Sequence, residues 1–393
     1  MSWPLVALKD LVDINIGRTP SRNNTDYWGD GMPWLSIRDM NQGKILLGTA
    51  EQITHQALKD TKIGIAKKGT ILFSFKLSIG KVGVAGLDMC HNEAIASMPI
   101  KQGVELCEEY LFYALKQLDP SKDTDRAVMG ATLNKKKMAE LKIPLPPLKT
   151  QKKIAAVLEK ADQLRKDCQQ MEKELNSLDQ SVFIDMFGDP VTNPKRWESV
   201  SLESLAKVQI GPFGSQLHKE DYISDGIPLI NPTHIINGQI VPDMNLTLTP
   251  DKFGALPNYH LQIGDIVMGR RGEMGRTALI DECSQGWFCG TGSLFIRITS
   301  QFIHPAYLNS VMSCRTMKTW LEEQSLGATM PNLNKKILYS IQIPIPTKTL
   351  QKKYVAVLDL LRRQKNEQKE HIIELNELFN TLMQKAFKGE LNL

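Results

Sequence analysis

The chain has 393 residues, enough for two domains with cores of their own. Its 42% hydrophobic and 23% charged content is ordinary for a globular protein, and 48 Lys and Arg against 43 Asp and Glu leave a net charge of +5, which permits a polyanionic partner without demanding one. No run reaches the ~18 apolar residues that cross a bilayer and no basic segment leads into an apolar run at Met1-Ser2-Trp3-Pro4, so no membrane is expected and a cytoplasmic location is.

Residues 1–149 are rich in short β-branched and aromatic runs broken by Gly, Asn and Pro, and Thr-Ile-Leu-Phe-Ser-Phe at 70–75 reads as a strand between turns. Within this stretch, residues 17–24 form a turn-rich loop carrying Arg18, Arg22, Asn23 and Asn24. Arg38, Asn41 and Gln42 follow a predicted strand, and Lys76, Ser78 and Lys81 bracket a glycine turn. The prolines of 143–147, Ile-Pro-Leu-Pro-Pro, forbid a helix through that segment and allow one to begin after it. From Gln151 to Phe187 the apolar residues fall on a heptad. Ile154, Ala161, Cys168, Leu175 and Val182 take one core position, and Val157, Leu164, Met171 and Leu178 take the other. About 37 residues at 1.5 Å rise make a rod of roughly 55 Å.

The chain then repeats itself. Residues 133–158 and 333–358 align without a gap, with 13 of 26 positions identical. Gly130-Ala131-Thr132 recurs as Gly327-Ala328-Thr329, and Leu175, Leu178 and Phe187 match Leu375, Leu378 and Phe387. Nearer the amino terminus of each half, Trp3, Leu8, Leu11, Ile16 and Gly17 match Trp197, Leu202, Leu205, Ile210 and Gly211. Gly31, Pro33, Gly69, Ile71 and Gly80 match Gly226, Pro228, Gly264, Ile266 and Gly275. Between these anchors the halves diverge. Where the first half has its polar loops, the second holds Gln216, His218 and Lys219, then Asn231, Thr233 and His234, then Arg270, Arg271 and Arg276 in a turn with two glycines. A second helix over 351–387 carries Val357, Leu358, Leu361, Ile372, Leu375, Phe379 and Leu382, with a polar middle at 364–371. Two equivalent helices, each following an equivalent globular unit, are expected to pair antiparallel as a coiled coil.

No enzyme signature is present. The chain lacks the G-x-x-x-x-G-K-[ST] and G-x-G-x-x-G phosphate loops, H-E-x-x-H and G-x-S-x-G. Asn231-Pro232-Thr233 lacks the second proline and the aromatic ring of an amino-methyltransferase motif. Cys90, Cys107, Cys168, Cys283, Cys289 and Cys314 are scattered without a C-x-x-C pair, so neither disulfides nor zinc is expected. Arg, Asn, Gln and Lys can read base edges, and Arg and Lys can neutralise phosphates. The expected DNA-contacting set is therefore Arg18, Arg22, Asn23, Asn24, Arg38, Asn41, Lys76 and Lys81 in the first half. In the second it is Gln216, His218, Lys219, His234, Arg270, Arg271 and Arg276. Lys152 and Lys153 recur as Lys352 and Lys353, so they fit a shared task, either phosphate neutralisation or docking one partner twice. The competing reading is a coiled-coil adaptor whose heads bind proteins.

Over its whole length the chain resembles the specificity subunits of type I restriction–modification enzymes. The resemblance rests on Ile143-Pro144-Leu145-Pro146-Pro147-Leu148 with Gln151-Lys152-Lys153-Ile154, and on the second copy, Ile343-Pro344-Ile345-Pro346 with Gln351-Lys352-Lys353. The openings Trp3, Leu8, Leu11, Gly17 and Trp197, Leu202, Leu205, Gly211 share it, as do Gly31-Met32-Pro33-Trp34 and Gly226-Ile227-Pro228-Leu229. Thr150 and Leu350 stand where the family commonly has Glu. The resemblance implies an α+β fold in which two α/β target recognition domains, at 1–149 and 189–349, are separated by two long antiparallel helices at 150–188 and 350–393. It further implies a non-catalytic, cofactor-free chain that reads a bipartite site in double-stranded DNA, with the helices as a ruler. Two modification subunits using S-adenosylmethionine, and restriction subunits using ATP and Mg, would be its partners and would carry out adenine methylation or cleavage.

Overall fold

A computed structural model describes residues 3–76, 78–118, 125–127, 130–213, 216–271, 274–325 and 332–391; Gly272 and Glu273 of the arginine turn and Gly327-Ala328-Thr329 of the repeat lie outside them. The chain divides into two compact units, one of residues 1–170 with 370–393 and one of residues 171–369.

In the first unit a five-stranded sheet runs in the order Asn15–Ile16, Ile95–Met98, Ile71–Ser74, Val82–Ala85, Ile45–Leu46. A three-stranded sheet places Trp28–Leu35 between Glu51–Ile53 and Cys90–His91. Helix Glu108–Gln117 buries Tyr110 through Leu115 against the larger sheet. The same core takes in Ile154, Ala155, Leu158 and Ala161 from one long helix and Phe379, Met383, Ala386 and Phe387 from the other. In the second unit a four-stranded sheet runs Ala206–Ile210, Ser293–Ile298, Ile266–Gly269, Thr277–Leu279, and helix Pro305–Ser313 packs with Phe183, Phe187 and Tyr354.

The repeat in sequence is a repeat in hydrogen bonding. Leu5–Ala7 pairs antiparallel with Lys142–Pro144, and Ser199–Ser201 pairs in the same register with Gln342–Pro344. Gln151 is fully buried; its Nε2 donates to Pro146 O (2.8 Å) and Glu105 O (3.0 Å), and its Oε1 accepts from Cys107 N (2.9 Å). Gln351 does the same with Pro346 O (2.9 Å), Phe302 O (3.0 Å) and His304 N (2.8 Å). Each glutamine thereby fixes the start of its helix to the preceding strand and to the loop before a core helix, satisfying backbone groups that would otherwise be orphaned. Tyr110 and Tyr307 hydroxyls donate to Pro144 O (2.7 Å) and Pro344 O (2.9 Å). The side chains of Asn134 and Asn334 cap equivalent short helices, each accepting at 2.9 Å from the third residue on. Trp3 Nε1 donates to Ala386 O (3.1 Å), and Trp197 Nε1 to Phe187 O (2.9 Å). Each half's opening tryptophan thus ties its unit to the end of a long helix.

The long helices are Leu148–Phe187, 40 residues, and Lys348–Lys388, 41 residues. In the second unit they run antiparallel: Asp179 binds Lys365 (2.6 Å), and eight residues on along the first helix and eleven back along the second Phe187 meets Tyr354 (ring centroids 5.2 Å). In the first unit the positions equivalent to Lys365 and Asp179 are Arg165 and Phe379, and the guanidinium stacks 4.4 Å from that ring. The expected row Ile154, Ala161, Cys168, Leu175, Val182 is buried or half-buried, as are Val157 and, on the second helix, Val357, Leu361, Ile372, Leu375 and Leu382. The other row needs correcting. Leu164, Met171 and Leu178 are exposed at 48%, 52% and 39%. Four residues after Ile154 and Ala161, Leu158 is buried and Arg165 half-buried, and the polar residues that follow this row, Arg165 and the half-exposed Asp179, find partners on the other helix. No described helix is long and apolar enough to cross a membrane.

Candidate nucleic-acid interface

In both units the divergent loops hang on the same scaffold, a strand paired in parallel with a short strand. Trp34 and Leu35 pair with Cys90 and His91; Leu229 and Ile230 pair with Phe288 and Cys289. Glycine lets the preceding loop approach. A Cβ built on Gly17 would lie 2.1 Å from His91 O, and one on Gly211 2.0 Å from Gly290 O. Beside Gly17, His91 is buried with Nδ1 3.0 Å from Ile95 O, and burial pulls its pKa down to about 4.

In the first unit the 17–24 loop folds onto two tryptophans. Trp34 Nε1 donates to Arg18 O (3.0 Å) and Trp28 Nε1 to Ser21 O (3.2 Å). The Arg22 guanidinium lies 3.8 Å over the Trp28 ring and 5.1 Å from that of Trp34, and it makes a two-point bond with Glu51, one arm at 2.9 Å. That bond raises the pKa of Arg22 and lowers that of Glu51. The pair is half exposed, so it orients the guanidinium more than it stabilises the fold. Arg18 is exposed and donates from Nη1 to Thr61 O (2.6 Å). Asn23 is exposed, and Asn24 caps the turn Thr25–Tyr27 by accepting from Asp26 N (3.1 Å). Arg38 is exposed and precedes the turn Asp39–Gln42, in which Asp39 and Met40 are buried and the exposed Asn41 accepts at Oδ1 from Lys81 Nζ (2.7 Å). That bond joins two of the expected loops. Lys76 Nζ sits 5.4 Å over the Phe75 ring.

In the second unit Gln216 is held inward, its Oε1 accepting from Phe213 N (3.1 Å) and Tyr259 OH (3.0 Å). His218 and Lys219 are exposed at the turn Lys219–Asp221, with His218 N donating to Asp221 Oδ2 (2.7 Å). Arg276 Nη1 donates to Ile235 O (3.3 Å), joining the arginine turn to the loop after the parallel strand, as Lys81 does in the first unit. Arg271 is exposed. Two expected contacts are corrected. His234 is 8% exposed, with Nδ1 2.9 Å from Leu229 O and accepting from Asn231 N, so it is a buried brace of its own turn. Arg270 is 5% exposed, packed where the strand end enters the core, and cannot reach a base edge from there.

Lys152, Lys153, Lys352 and Lys353 are exposed on the outer faces of their helices, each pair directly after a buried glutamine. Sequence reading missed the tryptophan pair beside Arg22: Trp28 and Trp34 meet edge to face with ring centroids 5.0 Å apart, and the irregularity between Trp28 and Met32 breaks the alternation that could have signalled it. Among the described residues, no group of three or more His, Cys, Asp or Glu side chains is placed to hold a metal ion.

A family model described as the type I restriction modification DNA specificity domain matches residues 2–177 and again residues 194–377. The chain is similar to the MjaIX specificity subunit of Methanocaldococcus jannaschii, at 27% identity over 100% of this chain and 94% of that protein. It is also similar to the EcoBI specificity subunit of Escherichia coli, at 22% identity over 99% of this chain and 86% of that one. Among solved structures, the S subunit of a type I restriction–modification system from M. genitalium covers 98% of this chain, with 96% of its own length matched, at 16% identity and a TM-score of 0.56. A chain from a type I system, solved to explain complex assembly and conformational transition, covers 99% of this chain, with 98% of its own length matched, at 19% identity and a TM-score of 0.64. At these identities the structures speak for the fold.

Proposed function

The chain belongs to the type I restriction–modification DNA specificity family, and on that premise we propose that each unit reads one half of a bipartite double-stranded DNA site while partner subunits perform the chemistry. One observation carries the reading. The frame bonds are the same in both halves, down to Gln151 and Gln351, whereas the polar loops mounted on that frame differ in every expected contact. A shared frame with unshared loops suits two readings of one kind of ligand with different sequence preferences.

In this reading Arg18, Arg22, Asn23, Asn24, Arg38, Asn41, Lys76 and Lys81 serve one half-site. Gln216, His218, Lys219, Arg271 and Arg276 serve the other. Arg22, held over the Trp28 ring, is a candidate for a guanine edge, and the lysines for phosphates. The heads are bounded at 1–149 and 189–349. The helices set the spacing between half-sites, and the repeated Lys152, Lys153, Lys352 and Lys353 dock two copies of one modification subunit. The chain itself catalyses nothing. S-adenosylmethionine belongs to the modification subunits, and ATP with Mg to the restriction subunits that join them.

Exchanging residues 1–149 for another head of the family tests this directly. Adenine methylation by the assembled enzyme should change in one half of the recognised site and keep the other. A change in both halves would overturn independent reading.

A further inference from the structure

Each unit carries two cations at this turn, Lys76 and Lys81 in the first and Arg271 and Arg276 in the second, and the second unit adds Arg270 and Lys318 to them. At the end of strand Ile266–Gly269, Arg270 occupies the place that Phe75 holds in the first unit: Leu333 N donates to Arg270 O at 3.1 Å as Leu133 N donates to Phe75 O at 3.0 Å. Phe75 is a core ring. Arg270 is almost as buried, and among the described residues its Nε has no hydrogen-bond partner. Arg271 follows, exposed, and Arg276 returns on the far side of the turn. Against this turn lies Lys318, half-buried on helix Arg315–Gln324; a Cβ built on Gly275 would stand 2.8 Å from Lys318 Cγ. In the first unit the span between helix Glu108–Gln117 and the short helix Lys135–Glu140 holds, among the described residues, the hairpin Asp125–Ala127 with Gly130–Thr132 and no helix in the place of Arg315–Gln324.

Among the described residues no ion pair holds Arg270, Arg271 or Lys318. Burial, with Arg271 adjacent, lowers the pKa of Arg270, and burial, with Arg276 adjacent, lowers that of Lys318. Arg270 and Arg271 are adjacent like charges with one of them buried, which is costly, and an anion placed beside them and Lys318 recovers part of that cost; Glu322 acts on Lys318 in the same sense.

We propose that Lys318 binds a backbone phosphate of duplex DNA on the second unit, with Arg271 as a second exposed cation of the turn and buried Arg270 strengthening the field, so that the two units grip DNA unequally. This rests on the DNA-reading assignment and adds to it a sequence-independent contact from outside the divergent loops. The experiment measures binding of the full chain to a random-sequence duplex as salt is raised. Each phosphate contact contributes about 0.9 to the slope of log K against log salt. Lys318→Met, which keeps the aliphatic stem against Gly275, should lower the slope by about 1, and Lys318→Gln should do the same should the methionine variant melt early. Lys318→Arg should keep the wild-type slope. A steep wild-type slope left unchanged by Lys318→Met and Lys318→Gln would overturn the inference and leave the DNA reading standing. A wild type that does not bind duplex would overturn both, and is recognised from the wild-type curve alone.

Discussion

Gln151→Leu and Gln351→Leu are twin perturbations of the shared frame. Each removes a buried amide that accepts one backbone N–H and donates to two carbonyls, with every bond between 2.8 and 3.0 Å. Leucine is close in volume and fills the space but leaves three backbone groups without partners. At about 1 kcal/mol for each orphaned group, the low end of that penalty, the cost is roughly 3 kcal/mol per substitution. Read as local opening, that is on the order of a hundredfold faster amide exchange. Hydrogen–deuterium exchange of the full chain reports it at Cys107, whose N–H is bonded to Gln151, and at His304, whose N–H is bonded to Gln351. Gln151→Leu should accelerate Cys107 and spare His304, and Gln351→Leu should do the reverse. Unchanged exchange at the bonded amide, or equal acceleration in both units from either variant, would refute the reasoning.

Gly211→Ala should destabilise the second unit by about 1–3 kcal/mol, because its Cβ would lie 2.0 Å from Gly290 O and backbone must move; a denaturation midpoint equal to wild type would contradict this. Phe379→Ala should cost about 3–5 kcal/mol in urea unfolding, since the ring is buried and lies under Arg165; a loss below 1 kcal/mol would mean that this seam position is not packed as described. His91 has its pKa held by burial to about 4, below the ordinary 6.5. Because the folded value lies below the unfolded one, its contribution is fully present above pH 6.5 and is lost as pH falls through 4. It amounts to roughly 3 kcal/mol at most. Stability of the first unit should therefore fall across that window and fall less in His91→Asn; identical pH profiles would exclude His91 as the cause.

Much of the frame was legible in the sequence because the same bonds were written twice. Residues 133–158 and 333–358 carry Asn134 and Asn334, Ile143 and Ile343, Gln151 and Gln351, and each of these pairs turns out to make the same contacts in its own unit. The helix seam was half legible. Hydropathy finds the row headed by Ile154, but it assigned Leu164, Met171 and Leu178 to the partner row, since a pattern of apolar residues cannot see that Arg165 stacks on Phe379 or that Asp179 pairs with Lys365. The loops were legible as polar and divergent, not as geometry. His234 and Arg270 look like surface donors in sequence. One folds back on Leu229 O, and the other stands in the place of Phe75. Lys318 was invisible because its proximity to Gly275 joins residues 43 positions apart through a helix that only the second unit has among its described residues.

The central claim is tested most directly by mapping methylated adenines across the genome of cells carrying this chain with its modification subunits, and of the same cells lacking it. Two short specified blocks divided by a constant number of unspecified base pairs, modified only when the chain is present, is the expected result. An uninterrupted motif, or methylation indifferent to the chain, would contradict it.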